Sequence, residues 1–385
     1  MRNLLKSLKK RQRLLWTVAA FVIPAVVIVQ AVLRIESGVS VETATVRWDA
    51  SGHADYTSES FTHWDDDEPP LIPADCASCH SQHGFLDFLG ERGTSAGSVS
   101  QDMPIGTVIS CNVCHNETAH NLESMTFSSG ATVRSLNAGE ATCLHCHQSR
   151  ESTISVNEAI SGFEDDTVSE DLEFINAHYL VSASTMLGTE AQGAYEYANT
   201  VYADRYVHHT EFQTCQSCHD PHDGRIEPLE CSACHVNVSE FDDLTAIRNT
   251  MTDFDGDGDT STGIAVEIDN LHRRLHDAIV RYADEVIGQP IVYSPDHFPY
   301  FFNDVSENGE VDPETLNFGN RYTTWTPRLV RTAYNYHYVQ NDPGAYAHNP
   351  HYAVQLLYDS LADLSESTTV NMDGLIRADE NGDDD

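Results

Sequence analysis

The sequence predicts a mainly α, loop-rich chain with a helical C-terminal unit, and three observations carry that expectation. Each of the ten cysteines falls in a Cys-x-x-Cys pair followed at once by histidine. The five pairs crowd into residues 76–235, or 32 residues apiece, a density that leaves no room for an ordinary apolar core. Amphipathic helix patterns begin only after His235.

From the N-terminus, Arg2, Lys6, Lys9, Lys10, Arg11 and Arg13 make residues 1–13 a basic segment. Leu14 to Leu33 follow without a charge, long enough as a helix to cross a hydrocarbon core of roughly 30 Å. Residues 14–34 are therefore expected to be a single-pass transmembrane anchor with its basic end in the cytoplasm and the rest of the chain exported. A cleaved secretory signal fits less well, because neither the length of the apolar run nor the small-x-small cleavage pattern matches one well. Residues 35–75 read as a polar linker whose Asp65-Asp66-Asp67-Glu68-Pro69-Pro70 stretch is extended, and it carries His53 and His63.

The motifs are Cys76/Cys79-His80, Cys111/Cys114-His115, Cys143/Cys146-His147, Cys215/Cys218-His219 and Cys231/Cys234-His235. Two thiols three residues apart can form thioether bonds to the two vinyl groups of one haem, and the adjacent histidine then lies beneath the ring and ligates iron. A single such pair would suit zinc or thiol redox chemistry equally. Five histidines at that position by chance have odds on the order of one in a million, given how rare the residue is in the chain, so covalent haem is the reading. Residues 76–240 are thus a pentahaem region, the fold is organised around stacked haems, and no cysteine remains for a disulfide.

Fifteen histidines lie outside the motif positions, and five would supply a sixth ligand to every iron. They far outnumber the methionines, so bis-histidine ligation is expected. His222 follows motif four as His219-Asp220-Pro221-His222, where the proline stiffens the turn and aims the second ring away from its own haem. His348 stands just before the Asn349-Pro350 helix start. His178 and the adjacent His208 and His209 fill the gap between motifs three and four. His53 and His63 complete the candidates. His272 and His276 share a helix face, and packing beside Leu275 is the simpler reading of them.

Residues 241–364 form the helical C-terminal unit. One helix carries Ile268, Leu271, Leu275, Ile279, Ala283 and Val286 and stops at Gly288 and Pro290. Others start at Thr326-Pro327 and Asn349-Pro350, each a cap with proline at the first helical position. Asp253, Asp255, Asp257, Gly258 and Asp259 match the first half of a calcium loop, but Ile264 stands where a bidentate glutamate belongs, leaving Glu267 to complete it. The Asp304–Glu310 stretch repeats half the pattern, with Asp312 in the corresponding role. The alternative is a solvated acidic loop. Residues 365–385 read as a disordered acidic tail.

Residues 35–385 hold 14 basic against 60 acidic residues, a formal charge of −46. That excludes a nucleic-acid phosphate binder and resembles the surface of a salt-adapted protein.

The segments Ser51-Gly52-His53-Ala54-Asp55, His63-Trp64, Gly84 to Gly90, His178-Tyr179-Leu180, Gly193-Ala194-Tyr195-Glu196-Tyr197, Cys218-His219-Asp220-Pro221-His222, Asp253 to Asp259 and Asp342 to Asn349 resemble the membrane-associated polyhaem c-type cytochromes of anaerobic respiration. The resemblance runs from about residue 50 to residue 364. It implies haem-to-haem electron transport on the periplasmic or extracellular face of the cytoplasmic membrane and no defined substrate. The expected function is a membrane-anchored pentahaem electron carrier, not an enzyme, with a quinol-oxidising membrane complex or other cytochromes as partners. Assembly into a homo-oligomer stays open. The alternatives are a multihaem reductase of a nitrogen or sulfur oxyanion, with one open iron, and a haem-filament subunit.

Overall fold

The computed structural model describes residues 39–209 and 212–379. The charge-free run at 14–34 lies outside them, and among the described residues no helix is long and apolar enough to cross a membrane. Short helices and turns dominate. The only regular strands among the described residues form three two-stranded antiparallel ribbons, Leu71–Ile72 with Met103–Pro104, Ser124–Thr126 with Thr132–Arg134, and Ile291–Tyr293 with Phe301–Asn303.

Helix α1 (Val41–Asp49) starts at Ser40, whose hydroxyl accepts from the Thr43 N–H, and it lies within the stretch expected to be a linker. Arg47 forms an ion pair with Asp220, and the Trp48 indole donates to the Ile109 carbonyl at 2.9 Å, so the helix is tied down at both points. Its sequence signal was weak because it has no buried face. Four motifs end short helices: α2 (Ala74–His80), α3 (Cys111–Cys114), α4 (Glu140–Cys146) and α5 (Cys215–Cys218). The fifth starts at the last residue of α6 (Pro228–Cys231). Helical spacing sets cysteines three apart on one side of the turn.

Three longer helices carry the main core: α7 (Ile264–Tyr282), α8 (Pro327–Gln340) and α9 (Pro350–Ser365). α8 and α9 begin at their cap-and-proline pairs. Thr326 accepts from the Leu329 N–H at 3.2 Å, and Asn349 accepts from Tyr352 at 3.1 Å. α7 buries Ile268, Leu271, Leu275 and Ile279, then widens into a π turn and stops at Gly288, where φ is 77°. Residues from 156 to 203 pack into the same core, among them Val156, Val181, Tyr195 and Tyr202, so it extends beyond residues 241–364. Arg328 and Arg331 are buried on α8 and their charges are met by Asp165, Asp166 and Asp363.

The expectation of a disordered tail from residue 365 is corrected up to Asp379. Leu375 and Ala378 are buried, the Ile376 N–H donates to the Phe254 carbonyl, and Gln355 donates to the Ala378 carbonyl. Arg274 and Arg281 on α7 hold the carbonyls of Asn371 and Thr369. The acidic composition hid these contacts because two small apolar anchors and backbone acceptors do the holding.

Candidate haem-binding site

All ten motif cysteines and all five motif histidines line one cavity of about 3280 Å³. Shared equally, that is roughly 650 Å³ for each motif, within the 300–1,000 Å³ of an ordinary small-molecule site.

Each motif histidine faces one other histidine across this cavity. His80 stands 5.8 Å from His178, His115 lies 6.1 Å from His222, and His147 lies 6.2 Å from His53. His219 is 6.3 Å from His348 and His235 is 5.9 Å from His208, all between ring centroids. Two imidazoles that share one metal, each with a bond of roughly 2 Å, have centroids about 6 Å apart. The five pairs therefore match the span of a six-coordinate iron, and the residues present fit five haems.

Hydrogen bonds at the far ring nitrogen aim these rings. His80 Nδ1–H donates to the Ser60 carbonyl at 2.8 Å and His219 Nδ1–H to that of Gly224 at 2.9 Å. His147 bonds the Leu180 carbonyl, and His348 Nδ1–H donates to both oxygens of the buried Asp342 at 2.8 and 3.0 Å. The Nδ1 bonds of His80, His219 and His348 leave Nε2 free for a metal and raise its basicity. Gly344 makes room for the His348 ring: a Cβ there would meet His348 Cε1 at 2.6 Å. His178 sits at φ 76°, outside the range ordinary residues favour, and its N–H is held by Asn176 Oδ1 at 2.8 Å.

Burial pushes His178 down to about 4, with His80 adding to the effect. It also lowers His53 and His208, and it lowers His147 together with the facing His53. Neutral imidazole is the ligating form, so these shifts favour metal binding. His348 moves the other way, because the Asp342 carboxylate outweighs the burial that lowers it. Burial pushes the Cys114 thiol up to about 11.

Five of the seven sequence-derived partners thus face a motif histidine: His53, His178, His208, His222 and His348. His63 instead packs edge-on against Trp64 and bonds Glu59, with Trp64 in turn against His80. His209 lies in a bridge with Phe212, next to the His208 that faces His235. His272 stacks on Tyr336 at 4.1 Å and bonds its carbonyl, in keeping with a packing role. Asp342, Asn176 and the Ser60 and Gly224 carbonyls escaped the sequence reading. Asp342 alone left a signal, as the start of the Asp-Pro-Gly turn six residues before His348.

In the acidic loop, ligand atoms of Asp253, Asp255 and Glu267 lie within 4.8 Å of one another. Glu267 also pairs with Arg248 and accepts the Phe254 N–H at 2.6 Å. Asp257 and Asp259 turn to loop groups, accepting from the N–H of Asp259 and Ser261.

No protein-family model matches the chain, and no solved structure does. Over 367 residues it is 26% identical to the C-type polyheme cytochrome OmcC of Geobacter sulfurreducens, a match covering 81% of this chain and 45% of the relative. Over 363 residues it is 25% identical to the C-type polyheme cytochrome OmcB of the same species, covering 80% of this chain and 46% of the relative. The chain spans about half the length of the curated relatives it matches. It is similar to these multihaem c-type cytochromes, as its motifs implied.

Proposed function

We propose that the chain binds five haems covalently, holds every iron between two histidines, and carries electrons outside the cytoplasmic membrane behind an N-terminal anchor at residues 14–34. The observation that carries this reading is the pairing of all five motif histidines, each with one other histidine near 6 Å. When bound, each haem supplies an iron that takes up and releases one electron. The chain's own residues attach each ring through two thiols, aim His80, His219, His147 and His348 through Ser60, Gly224, Leu180 and Asp342, and set the spacing between sites. A quinol-oxidising membrane complex or another cytochrome fits as donor or acceptor, since a carrier with saturated irons passes electrons on without binding a substrate at the metal. A reductase needs an iron with an open position, and the pairing supplies a partner for each. The exported protein should gain the mass of five haems. A gain of four or fewer would remove the stoichiometry.

Calcium belongs to the same reading at Asp253, Asp255 and Glu267, where two aspartates converge on a glutamate that Arg248 only partly offsets. Chelation should lower the melting temperature. An unchanged value, with no calcium in elemental analysis, returns the loop to a solvated turn.

A further inference from the structure

The order of the five motifs along the chain is not their order in space. α4, which carries motif three, packs against both α2 of motif one and α5 of motif four. Cys79 Sγ of motif one lies 3.9 Å from the carbonyl of His145, inside motif three, and its thiol neighbours that of Cys146. One turn earlier on α4, the Cys143 thiol lies against that of Cys215. Asn137, just before α4, donates to Thr214 and Gln216 of motif four at 3.2 Å each. Cys114 of motif two lies near Cys143 and Cys146, and Cys218 of motif four lies near Cys231 of motif five.

The facing ligands repeat this pattern. His53, opposite His147, accepts through its carbonyl the N–H of Ile109, two residues before motif two. Leu180, whose carbonyl holds His147, lies two residues from His178, the partner of motif one.

Taking the haem occupancy proposed above as its premise, the geometry points to a three-way junction: the third motif's haem borders those of motifs one, two and four, and the fifth borders the fourth. A linear wire has two ends. This array has three, at motifs one, two and five, so the carrier would join three exchange surfaces rather than two. The placement rests on residues of the chain: α4 meets α2 near Cys146 and α5 near Cys143, and these are the most extensive contacts between motif helices among the described residues.

The test uses the full haem-loaded protein and a magnetic reading rather than turnover. His53→Ala opens the third motif's iron to a high-spin state, and fast-relaxing high-spin iron broadens the low-spin ferric signals of adjacent haems. Three of the four remaining signals should broaden. His208→Ala opens the fifth motif's iron and should broaden one. Two broadened signals in His53→Ala, the result for a linear array in chain order, would overturn the junction. If His53→Ala does not mature, His53→Met keeps six ligands and raises the third haem's potential. Redox titration should then show three other haems shifted and one unmoved, and fewer than three shifted again overturns the junction. Intact mass of each variant separates this outcome from a failure of the pentahaem reading, which would show as a deficit already in the wild type.

Discussion

Forty buried apolar residues form one cluster around α7, α8 and α9, whereas the three clusters beside the cysteine motifs hold seven, four and three. The first region is built like any helical protein. Tyr334, Tyr338 and Tyr352 are wholly buried, their hydroxyls reach Gly193, Ser184 and Glu196, and the starts of α8 and α9 are capped. The second encloses a cavity of about 3280 Å³ into which all ten motif thiols and the five facing imidazole pairs open. Such small clusters cannot offset the entropy of ordering so many residues, so the cofactor rings themselves must supply the missing apolar surface. One chain thus solves the burial problem twice, once with side chains and once with a prosthetic group.

The largest expected effect breaks the two regions apart. Chain made without haem attachment should lose slow amide exchange across residues 76–150 and 205–235, while α7 to α9 keep it. Uniform protection, or uniform loss, would show that the two regions are one cooperative unit. The converse change is Leu357→Ala. Leu357 is fully buried on α9, and its truncation should cost about 2–5 kcal/mol while the visible spectrum of the loaded protein stays as it was. An altered haem spectrum would mean that the core sets the ligand geometry directly.

A smaller effect separates structural histidines from ligating ones. His337 is buried on α8, held by Tyr293 Oη at 2.9 Å and Asn176 Oδ1 at 3.0 Å, and burial pushes it down to about 3, with His272 and His178 adding to it. The folded state therefore keeps His337 neutral while the unfolded chain takes up a proton near 6.5. Its contribution to stability is full above about 6.5 and is lost as pH falls from there towards about 3. His337→Gln should flatten the fall of melting temperature between pH 6.5 and 4. Equal slopes in the two proteins would contradict this role.

The division between regions also decides what the sequence could show. Cysteine spacing is local, so the five attachment motifs were legible residue by residue. So were the helix starts at Thr326-Pro327 and Asn349-Pro350, because a cap and a proline act within one turn. The five facing histidines were all among the candidates. Choosing His53 over His63, or His208 over His209, depends on which ring meets a motif histidine more than 25 residues away in the chain, and no local pattern encodes that. Glu267 was legible only as a stand-in for the missing twelfth-position ligand, and its convergence with Asp253 and Asp255 comes from the placement of α7 beside the loop. The same limit holds for residues 366–379, whose acidic composition says nothing of the carbonyls that Arg274 and Arg281 bind.

The central claim is that each of five irons lies between two histidines, and the electron paramagnetic resonance spectrum of the ferric protein tests it most directly. The wild type should show low-spin signals alone and should not bind carbon monoxide when reduced. His348→Ala should add one high-spin, carbon-monoxide-binding haem while the other four stay low-spin and do not bind carbon monoxide. A high-spin signal in the wild type that responds to nitrite or carbon monoxide would contradict the account and make the protein a reductase with an open iron.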